Sequence, residues 1–257
     1  STDNRRVWLK HNSGMNRLGM TTESCLKAYA RLHKYPGTEF GLMSHLACAG
    51  DIENPDSQKI TARQMDQFKQ TYKRLIEAER ADLPRSIAAS AGILTLPDTH
   101  LDYVRPGVML YGSSPLAGST GEEIGLQPVM TLSSRLIAIN QVSAGEFIGY
   151  NASYVCDRDT LVGVVSIGYG DGYPRSAANG TPVLVKTQSG INRTRLIGRV
   201  SMDTITVDLT EIPDACINNE VILWGDDLCA DEVAHAAGTI AYELFCKVTQ
   251  RVTFEYV

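Results

Sequence analysis

Several polar side chains stand where short apolar runs give out. Lys10 and Arg17 follow Val7-Trp8-Leu9, inside Leu9-Lys10-His11-Asn12-Ser13-Gly14-Met15-Asn16-Arg17-Leu18-Gly19. His45 follows Phe40-Gly41-Leu42-Met43, Ser90 follows Ser86-Ile87-Ala88-Ala89, and Arg105 ends Tyr103-Val104-Arg105 just before Pro106-Gly107. Cations, a histidine and a hydroxyl at successive strand ends suit an anionic ligand, because parallel α/β architectures place chemistry beyond the carboxyl ends of their strands. Ser90 with the Gly107 and Val108 amides makes a natural seat for a phosphate. Two glycine-flanked turns, Gly149-Tyr150-Asn151-Ala152-Ser153-Tyr154 and Gly168-Tyr169-Gly170-Asp171-Gly172-Tyr173-Pro174-Arg175, leave tyrosines free to project. A phenol, with an ordinary pKa of about 10, serves as acid or base only where cations lower it. Each residue also has a plainer reading. His45 fits a satisfied core histidine, Arg105 an ion pair with Asp102, Lys10 a solvated lysine, and the tyrosines packing on a sheet. Shared placement at strand ends is what favours a site.

The elements that would position these groups fall into two parts. Up to residue 118 the apolar runs alternate with helical patterns. Met65, Phe68, Tyr72, Leu75 and Ile76 recur at three- and four-residue spacing with charges opposite. Glu23 to His33 is a shorter helix, with Thr21 or Thr22 as its cap, and the fourth strand is taken to run on through Met109-Leu110-Tyr111. Strands alternating with helices imply a parallel sheet or a (β/α) barrel. From residue 119 the pattern is β-rich: Met130 to Ile139, Leu161 to Ile167, Pro182 to Lys186, Thr194 to Val200, Thr204 to Leu209 and Glu220 to Trp224. Short helices over Asp231 to Ala237 and Ile240 to Val248 precede a last strand, Gln250 to Tyr256. Turn residues at short intervals mark an antiparallel β domain. Charge divides the same way: residues 1–118 carry 15 basic and 12 acidic side chains, residues 119–257 carry 9 and 17. The Gly/Ser/Pro-rich stretch from Ser113 to Pro128 reads as the linker, giving domains 1–118 and 119–257. Four β/α units are half a barrel, which leaves two open sheet edges. Either the sheet closes some other way or the chain lacks its beginning.

The whole 257-residue chain has a net charge of −5 and 43% hydrophobic residues. A nucleic-acid partner has no electrostatic footprint here. No apolar run approaches the ~18 residues that span a bilayer, and Ser1 to Arg6 does not read as a signal peptide. The six cysteines form no CxxC pair and no histidine completes a zinc pattern, so no metal is expected. Scattered semi-buried thiols fit a reducing cytoplasm.

Taken in order, these segments resemble bacterial alanine racemase, a pyridoxal-phosphate enzyme. Leu9-Lys10 to Gly19, Ser44-His45-Leu46-Ala47, Val104-Arg105-Pro106-Gly107, Ile148-Gly149-Tyr150, Gly168 to Arg175, Gly198-Arg199-Val200-Ser201-Met202-Asp203 and Tyr242-Glu243-Leu244 carry the resemblance across essentially the whole chain. It implies a (β/α)8 barrel, here its C-terminal half, followed by a mainly antiparallel β domain, in a homodimer paired head-to-tail. Arg105 matches the arginine on the cofactor's pyridine nitrogen. Ser90, Gly107, Val108 and Tyr242 match phosphate contacts, and Tyr150 matches the base serving one face of the α-carbon. His45 matches the group linking that tyrosine to the arginine. Arg17 and the Met202 backbone N–H match contacts to the substrate carboxylate. Lys10 matches a position often carbamylated, and Tyr169 one at the mouth of the site. Ala89 stands where many members have Asn, and Asn12 and Gly50 replace carboxylates.

The cofactor lysine of the family, in a Lys-Ala-Asn-Ala-Tyr-Gly-His-Gly-like motif, has no counterpart in this sequence. The resemblance therefore implies an N-terminally truncated racemase, inactive or nearly so alone, whose parent activity interconverts L- and D-alanine for peptidoglycan synthesis. Two alternatives stand beside it: a non-catalytic dimerisation or binding fragment, and a related racemase or decarboxylase acting on another amino acid such as lysine or serine.

Overall fold

The computed structural model describes residues 5–79 and 82–256, so the reading of Ser1 to Arg6 falls partly outside the described residues. Two compact units emerge. One takes the chain up to Met109 together with Pro115–Gly118, the other Leu110–Ser114 together with the chain from Ser119 onward.

The first unit alternates β1 (Arg5–Lys10), α1 (Thr22–Leu32), β2 (Thr38–Met43), α2 (Pro55–Glu79), β3 (Arg85–Ala89), α3 (Ser90–Thr95) and β4 (Tyr103–Arg105). The four strands form one parallel sheet in chain order, β1-β2-β3-β4. Register sets Lys10 beside Met43, Met43 beside Ser86, and Ala89 beside Arg105. The carboxyl ends of all four strands therefore lie along one edge. Leu9, Phe40, Leu42 and Ile87 pack with Cys25, Tyr29, Phe68 and Leu75 in one buried cluster. Thr21 is the cap of α1, its side chain accepting the Ser24 N–H at 3.2 Å. The fourth strand stops at Arg105, because Pro106 has no N–H to give the ladder, and Val108–Tyr111 coils into a 3-10 turn instead.

The second unit holds β5 (Leu132–Val142), β6 (Phe147–Ile148), β7 (Tyr154–Val155), β8 (Thr160–Val165), β9 (Pro182–Thr187), β10 (Gly190–Arg195), β11 (Ile205–Asp208) and β12 (Glu220–Trp224), then α4 (Ala230–Ala236) and α5 (Ala241–Lys247). Six strands make a sheet in the order β10-β9-β12-β5-β8-β11, and β6 and β7 form a small hairpin. The long β5 pairs antiparallel with β12 along its first half and with β8 along its second. A parallel sheet with crossover helices and an antiparallel β domain match the two expected classes.

Two expected strands differ. The strand expected over Thr194 to Val200 lies earlier, at Gly190–Arg195, as the edge partner of β9. Its side chains are exposed or half-buried, so no apolar run announces it. Leu196 and Ile197 are buried but join β11 only through the bridge of Leu196 to Val207. Gln250 to Tyr256 is turn and irregular chain rather than strand, drawn by Arg251 toward two carboxylates described below. The cysteines are free and two of them, Cys216 and Cys246, are exposed rather than semi-buried.

Trp224 is fully buried among Leu136, Val185 and Val207 and stacks on Tyr173 at 6.2 Å. Trp224→Ala should destabilise the second unit by about 3–5 kcal/mol, read as a lowered urea midpoint in near-ultraviolet circular dichroism.

Candidate active site

Arg105 sits on a three-residue strand, yet its guanidinium is anchored across its neighbours. Nη1 donates to Ser86 Oγ, and Nη2 donates to the carbonyls of Ser44 at 2.6 Å and Ile87 at 3.3 Å. It thus reaches from β4 past β3 to the residue after β2. The ion pair with Asp102 does not form. Asp102 instead accepts from the backbone N–H and Nε of Arg85, both at 2.8 Å. Among the described residues, Arg105 Nε has no partner.

Ser44 extends the row. Its hydroxyl donates to the His11 carbonyl at 2.8 Å and so accepts from Ser13 at 2.7 Å. The ends of β1, β2, β3 and β4 are joined by one connected set of buried and half-buried hydrogen bonds. Beside it, Lys10, Arg17 and His45 line the same tight cleft. His45 is half-buried, and burial is the main reason its imidazole is held below the ordinary range; Arg105, Arg17 and Lys10 push the same way. His45 is therefore neutral at neutral pH.

Asn12 shapes this loop. Its side-chain oxygen accepts the N–H of Gly14 at 3.1 Å and of Asn16 at 3.0 Å, a task a carboxylate would also do. Gly50 is a different case: a Cβ there would lie 2.4 Å from the Pro115 carbonyl, so no side chain fits. Ser90 is buried and opens α3, where its Oγ accepts the Gly107 N–H at 2.8 Å. Val108 is buried next to it in sequence. Ser90 and Gly107 are thus held together, whereas Ala89 brings no polar group.

In the second unit Tyr150 is 70% exposed on the turn between β6 and β7. Gly149, Asn151 and Ala152 all have positive φ there, a conformation that turns the chain sharply and leaves the phenol outside. Tyr169 also projects, whereas Tyr173 in the same segment is buried against Trp224. The Tyr169 loop is laced to the Met202 loop: Tyr169 N–H donates to Ser201 O at 3.0 Å and Gly170 N–H to Met202 O at 2.9 Å. Gly168 is required here, since a Cβ would lie 2.3 Å from both the Ser201 and Met202 carbonyls. Arg251 clasps the pair, with Nε 3.1 Å from Asp171 and Nη2 2.7 Å from Asp203. The sequence offered no signal for this arginine, because it lies 80 and 48 residues beyond its two partners in a stretch expected to be strand. Tyr242, on α5, is held above the ordinary phenol range by burial and then by Asp231, and so stays an O–H donor.

Comparison with known proteins decides the family. The model for the alanine racemase N-terminal domain matches residues 1–115, and that for the C-terminal domain matches residues 129–256. The chain belongs to the alanine racemase family. It is 46% identical over 251 residues to the biosynthetic alanine racemase of Pseudomonas aeruginosa, covering 97% of this chain and 66% of that protein. With an alanine racemase of Vibrio vulnificus it shares 48% over 254 residues, 97% of this chain and 66% of the other. The crystal structure of the Pseudomonas aeruginosa enzyme superposes with a TM-score of 0.87 at 45% identity, over 98% of this chain and 67% of that one. Alanine racemase from Streptomyces coelicolor gives 0.86 at 35% identity, over 96% and 65%. The chain spans about two thirds of the length of these relatives.

His11, like His45, is held below the ordinary histidine value of 6.5 by burial. Below that pH the unfolded chain takes up protons that the two folded imidazoles refuse, so stability falls on acidification until the folded groups also titrate. Urea midpoints should drop from pH 7 toward pH 5.5. His11→Gln, which keeps an amide donor toward Thr71 but removes one titration, should make that drop shallower.

Proposed function

We propose that this chain supplies most of an alanine racemase site working with pyridoxal 5'-phosphate, interconverting L- and D-alanine. The observation that carries the reading is Arg105, fixed by three oxygens with Nε left over, beside a neutral His45. An acidic partner for a pyridine nitrogen would keep that nitrogen protonated. A guanidinium cannot be deprotonated, so Arg105 would donate to the nitrogen and leave it neutral. Ser90 with the Gly107 and Val108 amides would hold the phosphate, and the Tyr242 hydroxyl would add a donor. These groups fit such a cofactor: they offer donors to phosphate and a donor to the ring.

When bound, the cofactor withdraws electrons from the amino acid's α-carbon and so loosens its proton. The remaining work belongs to the protein. Arg17 and the Met202 N–H would hold the substrate carboxylate, and Lys10, if carbamylated, would become an anion that orients Arg17. Tyr150 would take or return the α-proton on one face. By the resemblance, a neutral His45 would link that phenol to Arg105, whose fixed charge would favour the phenolate. Tyr169 would stand at the mouth.

Racemisation needs a second acid/base group on the opposite face, because inversion removes a proton on one side and adds one on the other. The resemblance assigns that group to a lysine in a motif absent from these residues, so the chain alone is proposed to be inactive. The reading includes pairing of two copies into a homodimer, a cytoplasmic setting, and supply of D-alanine to peptidoglycan. Among the described residues no helix is long and apolar enough to cross a membrane.

The test has two arms. With a polypeptide carrying the lysine motif, the chain should regain alanine racemase turnover, and Tyr150→Phe should cut that turnover by about 10²–10⁴-fold with cofactor binding retained. Borohydride applied to the chain with an equimolar amount of cofactor should fix it only at low, scattered yield over exposed lysines. A cofactor fixed stoichiometrically to one particular lysine, or a Tyr150→Phe enzyme of undiminished rate, would overturn the reading.

A further inference from the structure

The buried face of α2 is unusually polar for a helix lying on a sheet. Ser57, Thr61, Gln64, Phe68, Thr71 and Leu75 follow one another at four- and three-residue steps and are all buried. Three of the polar ones hold strand-end loops. Ser57 donates to Asp51 at 2.8 Å, and Thr71 bonds His11 Nε2 at 3.1 Å. Gln64, 1% exposed, uses both ends of its carboxamide on the loop after β2. Its Oε1 accepts the Ala47 N–H at 2.8 Å, and its Nε2 donates to the His45 carbonyl at 3.1 Å.

An amide that pairs with the C=O of one residue and the N–H of the residue two further on imitates a neighbouring β-strand. A hydroxyl cannot span that separation, and a carboxylate could not donate. The loop after β1 lies alongside, where a Cβ built on Gly14 would come into ordinary contact with Gln64 Cγ at 3.4 Å. One buried carboxamide therefore holds the His45 loop and borders the other loop that lines the cleft of Lys10, Arg17 and His45.

We propose that Gln64 is a positioning residue for the racemase site: it holds the His45 loop as a strand would, beside the loop of Lys10 and Arg17. The proposal deepens the reading given above and rests on it for the role of His45. Gln64 is given no contact with substrate or cofactor in this reading. Its effect would pass through the His45 imidazole, which is faced by Lys10, Arg17, Arg105 and, in the same cleft, His11.

The full 257-residue chain serves for the test. Gln64→Met keeps the side-chain volume beside Gly14 and removes both hydrogen bonds. Leu75→Val, at a buried position on the same helix face, weakens the helix–sheet packing without touching either loop. In Gln64→Met the His45 imidazole, followed by NMR, should titrate higher, nearer the ordinary value, because it escapes burial and the cations together; in Leu75→Val it should not move. In the unmutated chain the Ala47 N–H, in an exposed loop residue, should exchange slowly with solvent. That measurement holds even if Gln64→Met fails to fold. Fast exchange at Ala47, an unmoved His45 in Gln64→Met, or equal movement in both variants would overturn the proposal. In the active holoenzyme, Gln64→Met should shift the pH profile of kcat more than KM. If His45 moves while that profile stays, the clamp stands and the role given to His45 falls.

Discussion

A permanent charge on a three-residue strand has to be held by oxygens from its neighbours, and the first unit is arranged around doing so. Arg105 draws on Ser86, Ser44 and Ile87, and Ser44 draws in turn on His11 and Ser13. Parallel register makes this possible, because it sets the ends of β1 to β4 along one edge where a long side chain can cross two strands. Leaving the guanidinium half-buried without those oxygens would be costly. Held this way, it also fixes the electrostatics beside it, since it is one of the cations that keep His45 neutral.

Most of the fold was legible in the sequence because each element has a local cause, whereas the oxygens around Arg105 were not. Period-two and period-3.6 patterns located the elements, Gly and Pro marked the turns, and Thr21 marked a helix start. What escaped depends on partners distant along the chain. The helix α2 was legible through Met65, Phe68, Tyr72, Leu75 and Ile76, yet the face it buries is centred on Gln64, Phe68, Thr71 and Leu75. Polar residues there look like a solvated flank until their partners, more than fifteen residues away, are seen. Arg251 is the same lesson in the second unit, since its partners lie 80 and 48 positions earlier. Two-residue strands such as β6 and β7 are shorter than any periodicity can register.

The candidate residues divide by what fixes them. Arg105, Ser90 and His45 stand on or just after strands and are held by buried hydrogen bonds or packing. Tyr169 and Met202 stand on loops whose backbones are laced to each other and clasped by one arginine. Each unit thus braces its candidate residues in its own way, by regular elements in the first and by mutually bonded loops in the second. Lys10, His45, Ser90 and Arg105 all stand at or just beyond strand ends in the first unit.

The turn that presents Tyr150 has a consequence of its own. Asn151 and Ala152 both hold left-handed backbone, which costs a non-glycine residue about 1 kcal/mol or more. Such a kink cannot relax without dismantling the hairpin on either side, so the aromatic ring is displayed on a stiff knuckle rather than a swinging arm. A ring offered that way loses little freedom when something closes over it, and the strain carried by two small residues becomes orientational accuracy at the tip.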